Sequence, residues 1–364
     1  MPLTPTAEQP AVKREALATA VTEHLVVQTS FLGDTVLTTP LIGELAMRGP
    51  VDVLVTPAAA PVLANNPHIR TLHIYDKRGS DAGAIGLHRV AQRLREGVRA
   101  RAPAHRIAYL AQGSVRSGVL AALAGFDERV GFHDAAGRLF YTHRVIRRVD
   151  RHHAERLWRL AFPWNTEVEP PEGALRPRLY PGKSERAAVD DLLGGFRGAT
   201  LIALAPGSVW ATKRWPYYSM LARRLADRYR IVVVGGTEDT PLAQEIVAAA
   251  GELRALDATG KLSLLASAEL IGRARALVTN DSAPQHLASA MGTPTIAIFG
   301  PTSPIFGFGP LAPNSREAEL TAMPCRPCHH HGPPECPLGH WKCMKELNVE
   351  YVLELLSQSL KAET

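Results

Sequence analysis

The stretch Val278–Pro301, VTNDSAPQHLASAMGTPTIAIFGP, leaves a folding chain few options. Ala276–Thr279 reads as a buried strand and Asn280-Asp281 turns it outward. Ser282 with Gln285 three residues on has the capping-box spacing. Pro284 falls in the first helical turn, where its missing N–H is no loss. Gly292 stops the helix and Thr295–Phe299 runs as the next strand. Free N–H groups and the positive dipole end at such a helix start suit a phosphate. An ordinary strand-to-helix turn of an α/β domain fits the same pattern.

The rest of the chain follows a related plan twice. A buried strand, a Gly-containing loop and an amphipathic helix open each half, at His24–Gln28, 29–34 and Thr35–Met47, then at Leu201–Ala205, 206–216 and Tyr217–Asp227. Further strands are read at Val51–Thr56, Thr71–Tyr75, Arg106–Leu110, Ile231–Val234, Ala276–Thr279 and Thr295–Phe299. Helical patterns at Ile85–Arg99, Ser117–Ala124, Leu242–Ala250 and Ser263–Arg273 separate them. Alternating β and α with near-continuous Val, Ile and Leu predicts parallel sheets covered on both faces. At 364 residues, two domains of about 150–180 residues each are expected.

Between the halves, Pro163, Pro170, Pro171, Pro177 and Pro181 mark an extended linker. The division expected is an unstructured lead over 1–22, a first Rossmann-like domain over 23–165 and a linker over 166–182. A second Rossmann-like domain with a cysteine-bearing tail follows over 183–346, then a terminal helix over 347–364. Two doubly wound domains facing each other leave a central cleft lined by strand carboxyl ends, where ligands bind.

Composition argues for a globular protein, and no apolar run approaches the roughly 20 residues of a membrane helix. Residues 1–20 lack the apolar core of a signal peptide, so a cytoplasmic protein is expected. The net charge of +6 favours anionic partners without implying nucleic acid. Seven arginines between Arg138 and Arg159 face only Asp150 and Glu155. That stretch suits a phosphate-rich substrate or an anionic membrane face, and equally a solvated surface.

Familiar phosphate-loop, dinucleotide, nucleophile-elbow and zinc-helix signatures are missing. In TSFLGDTVLTTP, Gly33 permits a sharp turn and Asp34 falls at a helix start, as an N-cap or as a carboxylate able to deprotonate a hydroxyl. In APGSVWATKRWP, Gly207, Ser208 and Lys213 with Arg214 can bind and neutralise a departing phosphate, or form a surface pair beside a core tryptophan. Glu238 follows the strand IVVV in the position from which an acid binds ribose hydroxyls. His286 reaches a phosphate or packs as a core histidine.

GDTVLTTP, PGSVWATKRWP, VGGTED and NDSAPQHLASAMGTPTIAIFGPT occur in an order that resembles the ADP-heptose:lipopolysaccharide heptosyltransferases, glycosyltransferase family 9. The resemblance spans roughly Val21 to Leu347. It implies a GT-B fold, with acceptor on the N-terminal half and sugar nucleotide on the C-terminal half. Asp34 would be the general base. Ser208 and Lys213 would hold the diphosphate, Glu238 the adenosine ribose, and Asp281, Ser282, Ala283 and His286 the phosphates and heptose. Ala283-Pro284 departs from the glycine that many members carry after the hydroxyl residue.

The four cysteines, Cys325, Cys328, Cys336 and Cys343, fall in one window with His329, His330, His331 and His340. They suit a structural zinc or simple apolar packing. The window is too distant in sequence from the phosphate elements to be given a catalytic task, and no cofactor is required. The expected function is inverting, metal-independent transfer of heptose from ADP-heptose to a lipopolysaccharide inner-core acceptor, with peripheral contact at the inner membrane. Alternatives are another GT-B transferase or an epimerase using a different nucleotide sugar, or a non-catalytic nucleotide-sugar sensor.

Overall fold

Strands form where Val, Ile, Leu and Ala run almost unbroken, because helices cover both faces of each sheet. The computed structural model describes residues 22–99, 105–164 and 167–361. The expected lead over 1–22 lies outside these, apart from Thr22. Among the described residues, twelve strands build two six-stranded sheets. The first comprises β1 (Thr22–Gln28), β2 (Val51–Val55), β3 (Thr71–Ile74), β4 (His105–Leu110), β5 (Glu128–Phe132) and β6 (His143–Val145). The second comprises β7 (Leu201–Ala205), β8 (Arg230–Val233), β9 (Ala255–Asp257), β10 (Ala276–Asn280), β11 (Thr295–Phe299) and β12 (Arg316–Glu319).

Strand order is β3-β2-β1-β4-β5-β6 in one sheet and β12-β11-β10-β7-β8-β9 in the other. Read from its opposite edge, the second order repeats the first. Every pairing is parallel, with Val27 level with Leu54 and Leu110, and Leu204 level with Val278 and Val233. Both sheets are therefore doubly wound. The order reverses between β1 and β4 and between β7 and β10, where such sheets leave a crevice beyond their carboxyl ends. Strands β5, β6, β9 and β12 were not anticipated. They are short and charged, and three of them are edges with only one neighbour to bury them.

Side chains alternate across the sheets. Along β7, Leu201, Ala203 and Ala205 join a core continuous with the first domain, whereas Ile202 and Leu204 join a second core on the outer face. That outer core is closed by Val352, Leu355, Leu356 and Leu360 of the terminal helix Val349–Lys361. Each such leucine contributes about 1.5–3 kcal/mol on burial. Residues 167–182 form no helix or strand. Among the described residues, no helix is long and apolar enough to cross a membrane.

The halves also meet away from the linker. The helix His153–Trp158, which follows β6, packs on the first domain's helix Thr39–Ala46 while its N-terminus grips the loop after β11. His153 N–H donates to Gly307 O (2.7 Å), the His152 ring lies 3.0 Å from Gly309 O, and Arg156 donates to Phe306 O (3.0 Å).

Candidate active site

On the second domain, the loop after β7 is fastened at both of its ends to one buried side chain at the carboxyl end of β10. Asn280 donates to Pro206 O (2.8 Å) and Gly207 O (3.3 Å) and accepts from Trp215 N–H (3.1 Å) and the Tyr218 hydroxyl (3.2 Å). Trp215 is buried and its indole donates to Leu347 O (2.7 Å). Arg214 donates to Ser208 O (3.0 Å), so the loop after β7 is held at both ends.

Lys213 is not a surface residue. Its ammonium sits 2.7 Å from Asp281 Oδ2, which also accepts from Thr302 Oγ1 (2.7 Å). Beside this pair lies a cavity of about 790 Å3 lined by Gly207, Ser208, Arg214, Glu238, Ser282 and Ala283, with Leu32 of the first domain on its other wall. Glu238 is exposed to the cavity. Asp239, which sequence reasoning passed over, folds under Gly207 and Gly235 and accepts from Gly236 N–H (3.0 Å). A Cβ on Gly207 would come within 2.2 Å of its carboxylate, so any larger residue there must displace Asp239. Burial raises the Asp239 pKa, against the Gly236 bond that lowers it. A groove of about 870 Å3 near Met323 and Tyr351 contains none of the candidate catalytic or nucleotide-sugar residues, only Cys325 and His340 of the cysteine tail.

The elbow helix runs Ala283–Met291, with Pro284 in its first turn and Gly292 left-handed at φ 79°. The expected capping box is absent. Ser282 holds the N-cap position without a side-chain cap, its hydroxyl lying near Asn280 O (3.3 Å), and Gln285 reaches across to Phe308 O. The consequence is chemical: the first N–H groups of this helix stay free of side-chain caps, beside the cavity.

From the first domain, the helix Leu32–Leu37 packs against that elbow helix. Phe31 is its N-cap, so Asp34 lies within the first turn and does not cap it. Nor does Gly33 make the expected sharp turn. It is an ordinary helical residue whose missing Cβ admits His286, since a Cβ there would sit 2.7 Å from His286 Cδ2. Ser30 Oγ lies 2.7 Å from both Asp34 Oδ2 and Gln28 Oε1, and its one proton serves one of them. His153 Nε2 lies 3.5 Å from Asp34 Oδ1.

His286 is where the two walls meet. It is buried, and its Nδ1 has no hydrogen-bond partner. Burial pushes its pKa down to about 4, opposed by Asp281 and Asp34 and reinforced by His152 and Lys213. One imidazole thus feels the carboxylate of the first domain and the ion pair of the second. Gly207, Ser208, Glu238, Ser282 and Ala283 line the cavity, whereas Lys213, Asp281, His286 and Asp34 lie outside its lining, at the junction of the two domains beside it.

The cysteine tail does not stand apart. Gly332, at φ +94°, passes so close that a Cβ would lie 2.7 Å from Lys213 Cδ. Thr212 bonds Pro333 O, and Trp341 donates to Thr212 O (2.7 Å). The His331 ring lies 6.3 Å from Phe31 of the first domain. Sequence distance concealed this contact. Cys325, Cys328, Cys336 and Cys343 are all free thiols around a void of about 30 Å3, and burial pushes Cys343 up to about 11. Among the described residues, no group of three or more His, Cys, Asp or Glu side chains is arranged to hold a metal ion. In the basic stretch, Arg156 and Arg159 are buried, Arg156 on backbone carbonyls and Arg159 on Glu155 (2.9 Å), so neither faces a ligand.

Paired Rossmann-like domains with such a cleft define the GT-B class of sugar transferases. The fold matches the solved Escherichia coli ADP-heptose lipopolysaccharide heptosyltransferase II with a TM-score of 0.74 at 23% identity, covering 94% of this chain and 99% of that one. The family model for glycosyltransferase family 9 (heptosyltransferase) matches residues 89–341, and the chain belongs to that family; it is a glycosyltransferase. It is 27% identical to lipopolysaccharide heptosyltransferase 2 of Escherichia coli (strain K12) over 93% of this chain and 99% of that protein. It is 28% identical to lipooligosaccharide heptosyltransferase 2 of Haemophilus influenzae over 77% of this chain and 84% of that protein.

Proposed function

We propose that this protein transfers heptose from ADP-heptose to a lipopolysaccharide inner-core acceptor, in one displacement with inversion at the anomeric carbon. The observation that carries the reading is the packing of the helix that bears Asp34 on the elbow helix, Gly33 against His286, next to the Lys213–Asp281 pair at 2.7 Å. Similarity along nearly the whole length of a heptosyltransferase 2 supports the choice of donor and acceptor.

In this reading Glu238 binds the adenosine ribose, and Gly207 and Ser208 line the diphosphate path. Lys213 and the uncapped N–H groups of Ser282, Ala283 and their neighbours meet the charge of departing ADP. Asp281 keeps Lys213 in place until the diphosphate shares it, and His286 contacts the heptose or its adjoining phosphate. Asp34 takes the proton of the acceptor hydroxyl as its oxygen bonds the anomeric carbon and the bond to the β-phosphate oxygen breaks. Such a base is worth about 10²–10⁴ in rate. With the leaving charge met by protein groups, the step needs no metal. The acceptor approaches from the first domain while the protein rests peripherally at the inner membrane face.

The test is product analysis of the purified protein with a heptose-deficient lipopolysaccharide core and ADP-heptose, against UDP- and GDP-sugars. Transfer from ADP-heptose alone is expected. Efficient transfer from another nucleotide sugar would reassign the donor, an outcome to which Ala283-Pro284 at the elbow gives specific interest.

A further inference from the structure

We infer that His153 is a positioning residue for Asp34, and that the loop Phe306–Gly309 of the second domain holds it there, so that contact between the domains sets the aim of the base. The inference rests on the reading of Asp34 as general base.

Three observations carry it. The first is geometry. His153 Nε2 lies 3.5 Å from Asp34 Oδ1 while Ser30 Oγ lies 2.7 Å from Oδ2, so each carboxylate oxygen has one fixed neighbour. At 3.5 Å the two are not hydrogen-bonded in this structure; an Nε2–H that closes on Oδ1 as substrate binds would leave the remaining lone pairs for an acceptor hydroxyl.

The second is charge. Burial pushes His153 down to about 3, reinforced by Arg156, Arg147 and His286, so the ring is uncharged at neutral pH. Asp34, His286, His152, Arg147 and Arg156 are the titratable or charged groups around it. An imidazole with so low a proton affinity orients a base and does not act as one. A lysine or arginine in its place would orient the carboxylate too, but would weaken it as a proton acceptor.

The third is the clamp. His153 belongs to a helix of the first half, yet its N–H donates to Gly307 O (2.7 Å) and its ring lies 4.8 Å from the Phe308 ring. A Cβ at Gly307, which has φ +88°, would lie 2.8 Å from Arg151 O and 3.1 Å from His153 N. Glycine alone permits this approach. The side chain that addresses the base is therefore fixed by the domain that holds the donor.

The experiment compares steady-state kinetics of wild type, H153A, H153Q, H153K, F308A, H153A/F308A and D34A, using ADP-heptose and a heptose-deficient core acceptor. H153A is expected to lower kcat about 10- to 100-fold, the scale of a misaimed group, with KM for ADP-heptose within about twofold. H153Q restores part of kcat. H153K moves the acid limb of the kcat–pH profile to lower pH and lowers its plateau. F308A lowers kcat without adding to the H153A defect in the double variant. Wild-type kcat in H153A with an inactive D34A overturns the positioning role and leaves the base assignment standing. Activity in D34A overturns the base assignment itself. Parallel loss of kcat, donor affinity and melting temperature in H153A, with no recovery in H153Q and an unmoved acid limb in H153K, reduces His153 to packing and also overturns the inference.

Discussion

The two domains share one strand order and almost nothing else at their carboxyl ends. The second domain fastens its loops from within: Asn280 ties the loop after β7 to β10, and Trp215 anchors it from below. The first domain also ties its loop after β1 internally, Gln28 donating to Thr38 Oγ1 (3.0 Å) and Lys77 to Thr29 O, but it adds contacts set by its neighbour, with Gly33 pressed on His286 and the clamped His153 beside Asp34. Repetition of the fold thus supplies two crevices, and the loops divide the work. A preorganised wall of N–H groups and a cation suits a diphosphate in any state of the cleft. A base held by Ser30 on its own wall, and approached by His153 only where the other wall clamps it, suits a reaction that must exclude water.

If this division holds, variants in the two walls fail differently. The largest effect is expected for Asp34→Ala, which loses about 10²–10⁴ in kcat. Calorimetric affinity for ADP-heptose should stay near wild type, and a matching loss of affinity would break the separation of roles. Lys213→Ala comes next. It strips the partner from buried Asp281 and the charge from the phosphate wall, so ADP affinity should fall about 10- to 100-fold, roughly 1.4–2.8 kcal/mol, with slower transfer as well. Unchanged affinity would remove Lys213 from the diphosphate.

Acidification probes both walls at once. His24 and His286 sit at about 4 in the fold, as does His152, and His153 at about 3, each lowered first by burial. Their unfolded value is 6.5, so between pH 6.5 and about 4 the unfolded chain binds more protons. Stability from these groups is full above pH 6.5 and is lost as pH falls. Thermal melts should fall steadily from pH 7 to pH 5. A flat profile would mean that these imidazoles are wetter than the fold implies. The smallest effect is expected for Gly33→Ala, which forces a methyl group toward His286. A cost of about 1–3 kcal/mol in melting experiments is expected, as for overpacking elsewhere. A neutral substitution would show that the interdomain contact is slack.

The sequence made the second wall more legible than the first. Strand β10, the stop at Gly292 and strand β11 follow directly from apolar runs and backbone chemistry. So does the cavity between the loops at 207 and 283, because doubly wound sheets bind ligands there. Patterning could not reveal what depends on the other domain. Gln285 has the spacing of a capping residue but bonds Phe308 O. Gly33 resembles a turn residue but is a contact residue. His153 carries no local pattern at all. Gly332 reaches Lys213 across more than a hundred residues, and no periodicity encodes such a contact. Arg156 and Arg159 illustrate the converse, since arginines counted as surface charge turn out to bond carbonyls and Glu155 inside the fold.

A crystal structure of the protein with ADP-heptose tests the central claim most directly. The account predicts the pyrophosphate against Lys213 and the start of helix Ala283–Met291, with the Asp34 carboxylate facing the anomeric carbon on the side opposite the departing phosphate. A donor seated in the groove near Met323, or a heptose turned so that Asp34 and the pyrophosphate share one face, would contradict it.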